Sequence, residues 1–231
     1  MGVIGAVIIF VGLIFVLSLL RTRLVFEFSA TSLLLLGTRK PGILLYSLLV
    51  LPGTILHELS HWLMAEILQV RTGEIVILPE LTGGSEERLG SVATAHSDPF
   101  RGFLIGIAPF ITGISALLAL GQLLLILWSN SSPWWQLALA VYAIMVLGNS
   151  MLISRADRRT WPFMLSLVVL LSFLVLYFKL APSAQVLLFA TANLGSLNLV
   201  LGMTAGVNLV MIGGSYIIRQ GVEKITRRKI Q

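Results

Sequence analysis

The chain has 231 residues, 57% of them hydrophobic and 11% charged, with a mean hydropathy of +0.95 and a formal net charge of +6. A soluble domain carries about 25% charged residues, which excludes a water-soluble globular enzyme. The positive balance reads as basic helix ends against lipid headgroups and not as a nucleic-acid footprint. With no cysteine the chain offers neither disulfides nor thiolate ligands.

About 20 mostly apolar residues cross a bilayer. Six stretches qualify, roughly 2–20, 42–68, 102–128, 134–154, 162–179 and 185–218. They predict an all-α polytopic membrane protein with about six transmembrane helices and a single membrane-embedded domain over 1–231. Its core would be 42–162, with C-terminal spans over 163–218 and a basic tail over 219–231. The first stretch has neither a basic n-region nor a cleavage site and reads as a retained span.

Residues 24–36, LVFEFSATSLLLL, read as a β-rich connection. In the polar insertion 69–101, EIVILPEL and RLGSVATA flank TGGSEE, which predicts two short strands joined by a Gly-rich turn, a small β-hairpin between spans two and three. The last apolar stretch is too long for one straight helix, so a break is expected. Its Gly202 and Gly206 form a GxxxG that predicts close helix packing, and Asn193, Asn198 and Asn208 predict interhelical hydrogen bonds. The end RQGVEKITRRKIQ reads as a topology anchor. With six spans, both termini share a side with the loops 69–101 and 155–161, and 11 of the 16 Lys and Arg fall there. That excess places the termini and the site towards the cytoplasm, although RTR and TRK count the other way.

The stretch LPGTILHELSHWLMAEIL, 51–68, carries two of the three histidines. His57 and His61, four apart, lie on one helix face and can reach a single ion. Glu58 is rotated about 100° from His57 and can touch a water on that ion without ligating it, which is the logic of HExxH. Zinc suits such a site: it accepts imidazole and carboxylate and keeps an open position. Ionisable groups at bilayer depth cost at least a few kcal/mol, so three together mark a functional site. The competing reading is a polar network between helices or histidines near the headgroups.

Catalytic zinc needs a third protein ligand. The metzincin continuation fails, because Met64 stands where its Gly belongs and Ile67 where its third His belongs. Between Pro99 and Val222 the sole carboxylate is Asp157, in GNSMLISRADRRTWP. It is the preferred third ligand, with Glu66, Glu74, Glu80, His96 and Asp98 as alternatives. Its competing role is an ion pair with Arg155, Arg158 or Arg159.

On these residues the chain resembles the site-2 protease family of intramembrane zinc metalloproteases. That family pairs HExxH in one membrane helix with a distal N-x-x-P-x-P-x-L-D-G motif whose Asp ligates zinc. Asn149 precedes Asp157 by eight residues, the family spacing. Leu152 and Ser154 replace the prolines, Ala156 the Leu and Arg158 the final Gly. IAPFITG offers Ala108, Pro109 and Thr112 as a loose match to a G-P-x-x-N helix start. The resemblance covers roughly 42–162, with no room for a PDZ insertion in 69–101. It implies Asp157 as ligand and Asn149 as a substrate or transition-state contact.

The expected function is therefore an intramembrane zinc endopeptidase, with Zn2+ on His57, His61 and Asp157 and Glu58 as general base. Its partners would be a transmembrane protein substrate and the lipid bilayer, with no nucleic acid and an oligomeric state the sequence leaves open. The insertion hairpin would hold the unwound substrate by strand addition, or form a plain surface hairpin. The alternatives are a catalytically inactive protease-like scaffold or assembly subunit, and a transporter passing ions along the histidines.

Overall fold

A computed structural model describes residues 2–76, 91–94, 97–151, 161–179 and 182–227. The described residues are 86% helical, with six helices and one small two-stranded sheet among them. The helices are α1 (Val3–Leu36), α2 (Lys40–Ile67), α3 (Pro99–Ser129), α4 (Trp134–Ser150), α5 (Trp161–Tyr177) and α6 (Ala184–Thr226). The strands are β1 (Thr72–Val76) and β2 (Ser91–Thr94). Four helices, α1, α2, α3 and α6, are long and apolar enough to cross a membrane, whereas α4 and α5 have 17 residues each. Their outward faces are apolar, as at Ile8, Phe189 and Val210, the surface a lipid solvent requires.

The helix boundaries follow from local chemistry. Gly37 ends α1 at φ 73°, its N–H donating to the Leu33 carbonyl at 3.0 Å, a turn that glycine adopts without a Cβ penalty. Pro41 opens α2, and Asp98 followed by Pro99 opens α3, the Asp98 carboxylate accepting from the N–H groups of Phe100 and Arg101. Ser183 caps α6 by accepting from Val186 N–H.

Several expectations need correction. Residues 24–36 are not a β-rich connection: they are the second half of α1. In a bilayer a helix satisfies every backbone group within its own segment, and that outweighs β-propensity. The break expected in the last apolar stretch is absent, for α6 is one continuous helix of 43 residues. At 1.5 Å per residue it is about 65 Å long, twice the hydrocarbon core. Gly202 and Gly206 face open space within the chain, so they do not mediate the close packing their spacing predicts. Asn198 and Asn208 do bond across helices, but Asn193 donates to Phe189 in its own helix. The hairpin is present as an antiparallel pair, Thr72 opposite Thr94 and Val76 opposite Ser91. Its TGGSEE turn lies outside the described residues.

The helix directions overturn the predicted topology. α2 runs back along α1, with Gly42 against Phe28, and α3 runs back along α2, with Ile105 beside His61. α4 runs parallel to α2, as Tyr142 meets Leu49 and Ser150 meets His57. Yet α6 lies parallel to α1: Asn198 bonds Ala6 and Arg219 bonds Glu27, both across 192 residues. The starts of α1, α3 and α6 thus share one end of the bundle, here the near end. The α1–α2 turn, the α3–α4 turn and the end of α6 share the far end. Between the end of α4 and the start of α6 the chain makes no net crossing. The start of α1 and the end of α6 are therefore opposite, not on one side. RTR and TRK share the far end of the bundle with Lys224 and Arg227, whereas the charge count assigns them to opposite sides.

The core lies between α1, α3, α4 and α6, around Leu17, Leu117, Ile144, Leu197 and Leu201. A smaller cluster of Ala65, Val70 and Ile105 ties the exit of α2 to α3 beside the strands.

Candidate metal centre

His57, Glu58 and His61 sit in the second half of α2, with His61 six residues before Ile67, about 9 Å from the near end of that helix. Glu58 and His61 are buried and His57 is half-buried.

Two neighbouring helices fix the imidazoles. His57 Nδ1 lies 2.8 Å from the carbonyl oxygen of Ser150, and His61 Nδ1 lies 2.8 Å from that of Ile105. A carbonyl oxygen only accepts, so each Nδ1 carries the proton and each lone pair stands on Nε2. Among the described residues, neither acceptor carbonyl is used by its own helix. Ser150 is the last residue of α4, in the turn whose carbonyls have no intrahelical donor. Ile105 stands four residues before Pro109 inside α3, and proline has no N–H to bond it.

Helix approach makes these contacts reachable. A Cβ on Gly53 would collide with the Ser150 side chain and lie 2.9 Å from Val146 Cγ1, so glycine there lets α4 close on α2 one turn from His57. Pro52 interrupts the ladder of α2 at this point, and Tyr142 donates its hydroxyl to the nearby Leu49 carbonyl at 2.9 Å. A cavity of about 10 Å³, lined by His57, Gly53, Pro109, Gly113 and Met151 among others, has room for about one water.

The pair fits a zinc ion. The ring centroids are 4.9 Å apart with planes at 78°. Two imidazoles sharing a tetrahedral zinc at 2.0–2.1 Å hold their centroids roughly 5 Å apart. Nδ1 bonded to a backbone carbonyl is also the usual support of a metal-ligating histidine. Among the described residues no group of three His, Cys, Asp or Glu converges on one point. Asp157, the expected third ligand, lies outside the described residues, as do Glu80 and His96. Of the alternatives, Asp98 caps α3, Glu66 accepts from Thr72 Oγ1 at 3.1 Å, and Glu74 is exposed on β1.

Asn149, expected at the substrate, is buried and paired with Asn208 of α6. Asn149 Nδ2 donates to Asn208 Oδ1 at 3.0 Å and Asn208 Nδ2 returns a bond at 2.8 Å. This amide pair stands next to the Ser150 carbonyl that holds His57. Thr204 packs on Gly148 one turn away.

A second polar cluster escaped the sequence reading. Glu27 of α1 is fully buried and meets Arg219 Nε at 2.7 Å. Arg219 Nη1 reaches Glu223 at 2.6 Å, and Arg23 stands 2.6 Å from the other Glu27 oxygen. Arg219 is therefore a buried ion-pair partner within α6 and not part of a free basic tail. The i, i+4 spacing of Arg23 and Glu27 on one helix was the available signal.

Comparison with family models, with curated proteins and with solved structures returns no match.

Proposed function

We propose that the chain is an intramembrane zinc metalloprotease that cleaves a transmembrane segment of a membrane protein. One observation carries this reading: two histidines four residues apart in a membrane-type helix, each with Nδ1 committed to a backbone carbonyl of a different helix. A polar network between helices would be served by either ring tautomer. Holding both lone pairs on Nε2, on rings spaced for one ion, is the arrangement of a metal pair.

His57 and His61 hold the ion, with Asp157 as third ligand on the family resemblance. Bound there, zinc supplies a Lewis acid and brings the pKa of a ligated water to about 7. Glu58, one residue from His57, takes the proton of the attacking water and delivers it to the leaving amine. Its burial keeps competing solvent from the carboxylate. The Ser150 and Ile105 carbonyls hold the imidazoles in orientation through that step. The outer edges of the β1–β2 pair, which follows directly on α2 and has no further strand among the described residues, offer a place for an unwound substrate segment.

Metal analysis of the purified chain and cleavage of a reconstituted transmembrane substrate test this. The expected result is about one zinc per chain, lost in His57→Ala or His61→Ala, with Glu58→Gln keeping zinc and losing cleavage. Full zinc occupancy in the double histidine variant would remove the site. Zinc binding by the native chain with no cleavage of any transmembrane substrate would leave the scaffold function in its place.

A further inference from the structure

From the α2–α3 contact we infer that Pro109 is a positioning residue for His61, acting through the N–H it lacks. The inference rests on the zinc reading for its consequence, but its geometry stands apart from it. In an uninterrupted α3 the N–H of residue 109 would bond the carbonyl of residue 105. Proline at 109 releases that carbonyl, and the structure places His61 Nδ1 2.8 Å from it. Pro109 and Ile105 are both buried. The orientation of His61 is thereby written into a missing hydrogen bond in a different helix. Pro52 is the other interior proline of the described helices, and it lies on the ligand helix itself, one turn before His57. Pro109 alone releases a carbonyl that a candidate ligand uses.

The consequence is chemical. With N–H restored at position 109, the Ile105 carbonyl turns back into the α3 ladder and the bond between it and His61 Nδ1 is lost. Loss of that acceptor removes a bond that favours the Nδ1–H tautomer, so the balance shifts towards the form with the proton on Nε2. Loss of such a support costs about 10–100-fold in metal affinity.

The test compares three forms of the full chain in micelles: native, Pro109→Ala, and a form with the α-hydroxy analogue of alanine at position 109. The last has an ester link there, with no pyrrolidine ring and no N–H. Nitrogen chemical shifts of labelled histidine, read in metal-free protein at alkaline pH, report the His61 tautomer. Cobalt(II) titration reports affinity. The expected result is a single Nδ1–H tautomer for His61 in the native and ester forms. Pro109→Ala should give a mixture of tautomers and about tenfold weaker cobalt binding. If Pro109→Ala does not fold, the ester form decides alone, and a mixed tautomer there overturns the inference. Equal behaviour of the alanine and ester forms also overturns it, since the N–H is the difference between them that faces the Ile105 carbonyl. A native chain that shows the expected tautomers in all three forms yet binds no cobalt supports the Pro109 assignment and removes the zinc reading.

Discussion

Arg219 donates Nε to Glu27 at 2.7 Å, between two helices whose bonded residues stand 192 positions apart in the chain, and neither side chain reaches solvent to any extent. Breaking one side of a buried pair strands a charge, at about 3–5 kcal/mol. Arg219→Met should lower the stability of the chain in bicelles by less than that, since Arg23 still faces Glu27, and Glu27→Gln by less again, since Gln still accepts from Arg219. Replacing the pair together, Glu27→Leu with Arg219→Leu, should recover most of the loss of Arg219→Met. Denaturant unfolding checks all three, and a neutral Arg219→Met would show that the pair does not hold α1 to α6.

Gly53→Ala should weaken zinc binding without touching a ligand. Its Cβ would collide with the Ser150 side chain, pushing α4 from α2 and drawing the Ser150 carbonyl from His57. About tenfold weaker zinc is expected, by analogy with other losses of support around a ligating histidine. Adding Ser150→Gly removes the colliding side chain and should restore most of the affinity. Isothermal titration of the single and double variants decides it.

The Asn149–Asn208 pair should show coupling. Buried side-chain hydrogen bonds between membrane helices contribute about 0.6 kcal/mol on average and up to about 1.7. Two mutual bonds place this pair towards the upper end of that range. A double-mutant cycle with Asn149→Ala and Asn208→Ala, read by unfolding, should give a coupling near 1 kcal/mol. Additive losses would mean that the two amides act apart, and a selective loss of cleavage in Asn149→Ala would favour the substrate contact that the family resemblance implies.

The chain has no cysteine, so single cysteines report topology directly. Cysteines at Gly2 and Arg227 should be labelled from opposite faces of sealed vesicles by an impermeant thiol reagent. Labelling of both from one face would contradict the parallel course of α1 and α6.

The sequence told most about groups whose chemistry is in the side chain. The HExxH spacing put His57 and His61 on one face, and Pro41, Pro99, Gly37 and Asp98 stand at helix ends for reasons that each residue type carries with it. What holds the histidines was less legible, because Ser150 and Ile105 act through carbonyls that every residue has. Only Pro109, four residues beyond Ile105, marks one of them. The course of α6 was illegible for a similar reason. Alternating spans is the default count, and it takes the pairings of Ala6 with Asn198 and of Glu27 with Arg219 together to show that α6 departs from it. The β-formers in 24–36 misled because propensity measured in water loses to backbone satisfaction in lipid.

The bond between the first and last helices also orders the chain's assembly. α1 leaves the ribosome about 180 residues ahead of α6, so for most of synthesis Glu27 has no countercharge except Arg23 on its own helix. A carboxylate at that depth is costly until α6 arrives. Contacts across so long a stretch of chain form late. The α1–α6 contact therefore forms only after α6 has been made, and until then Glu27 relies on Arg23.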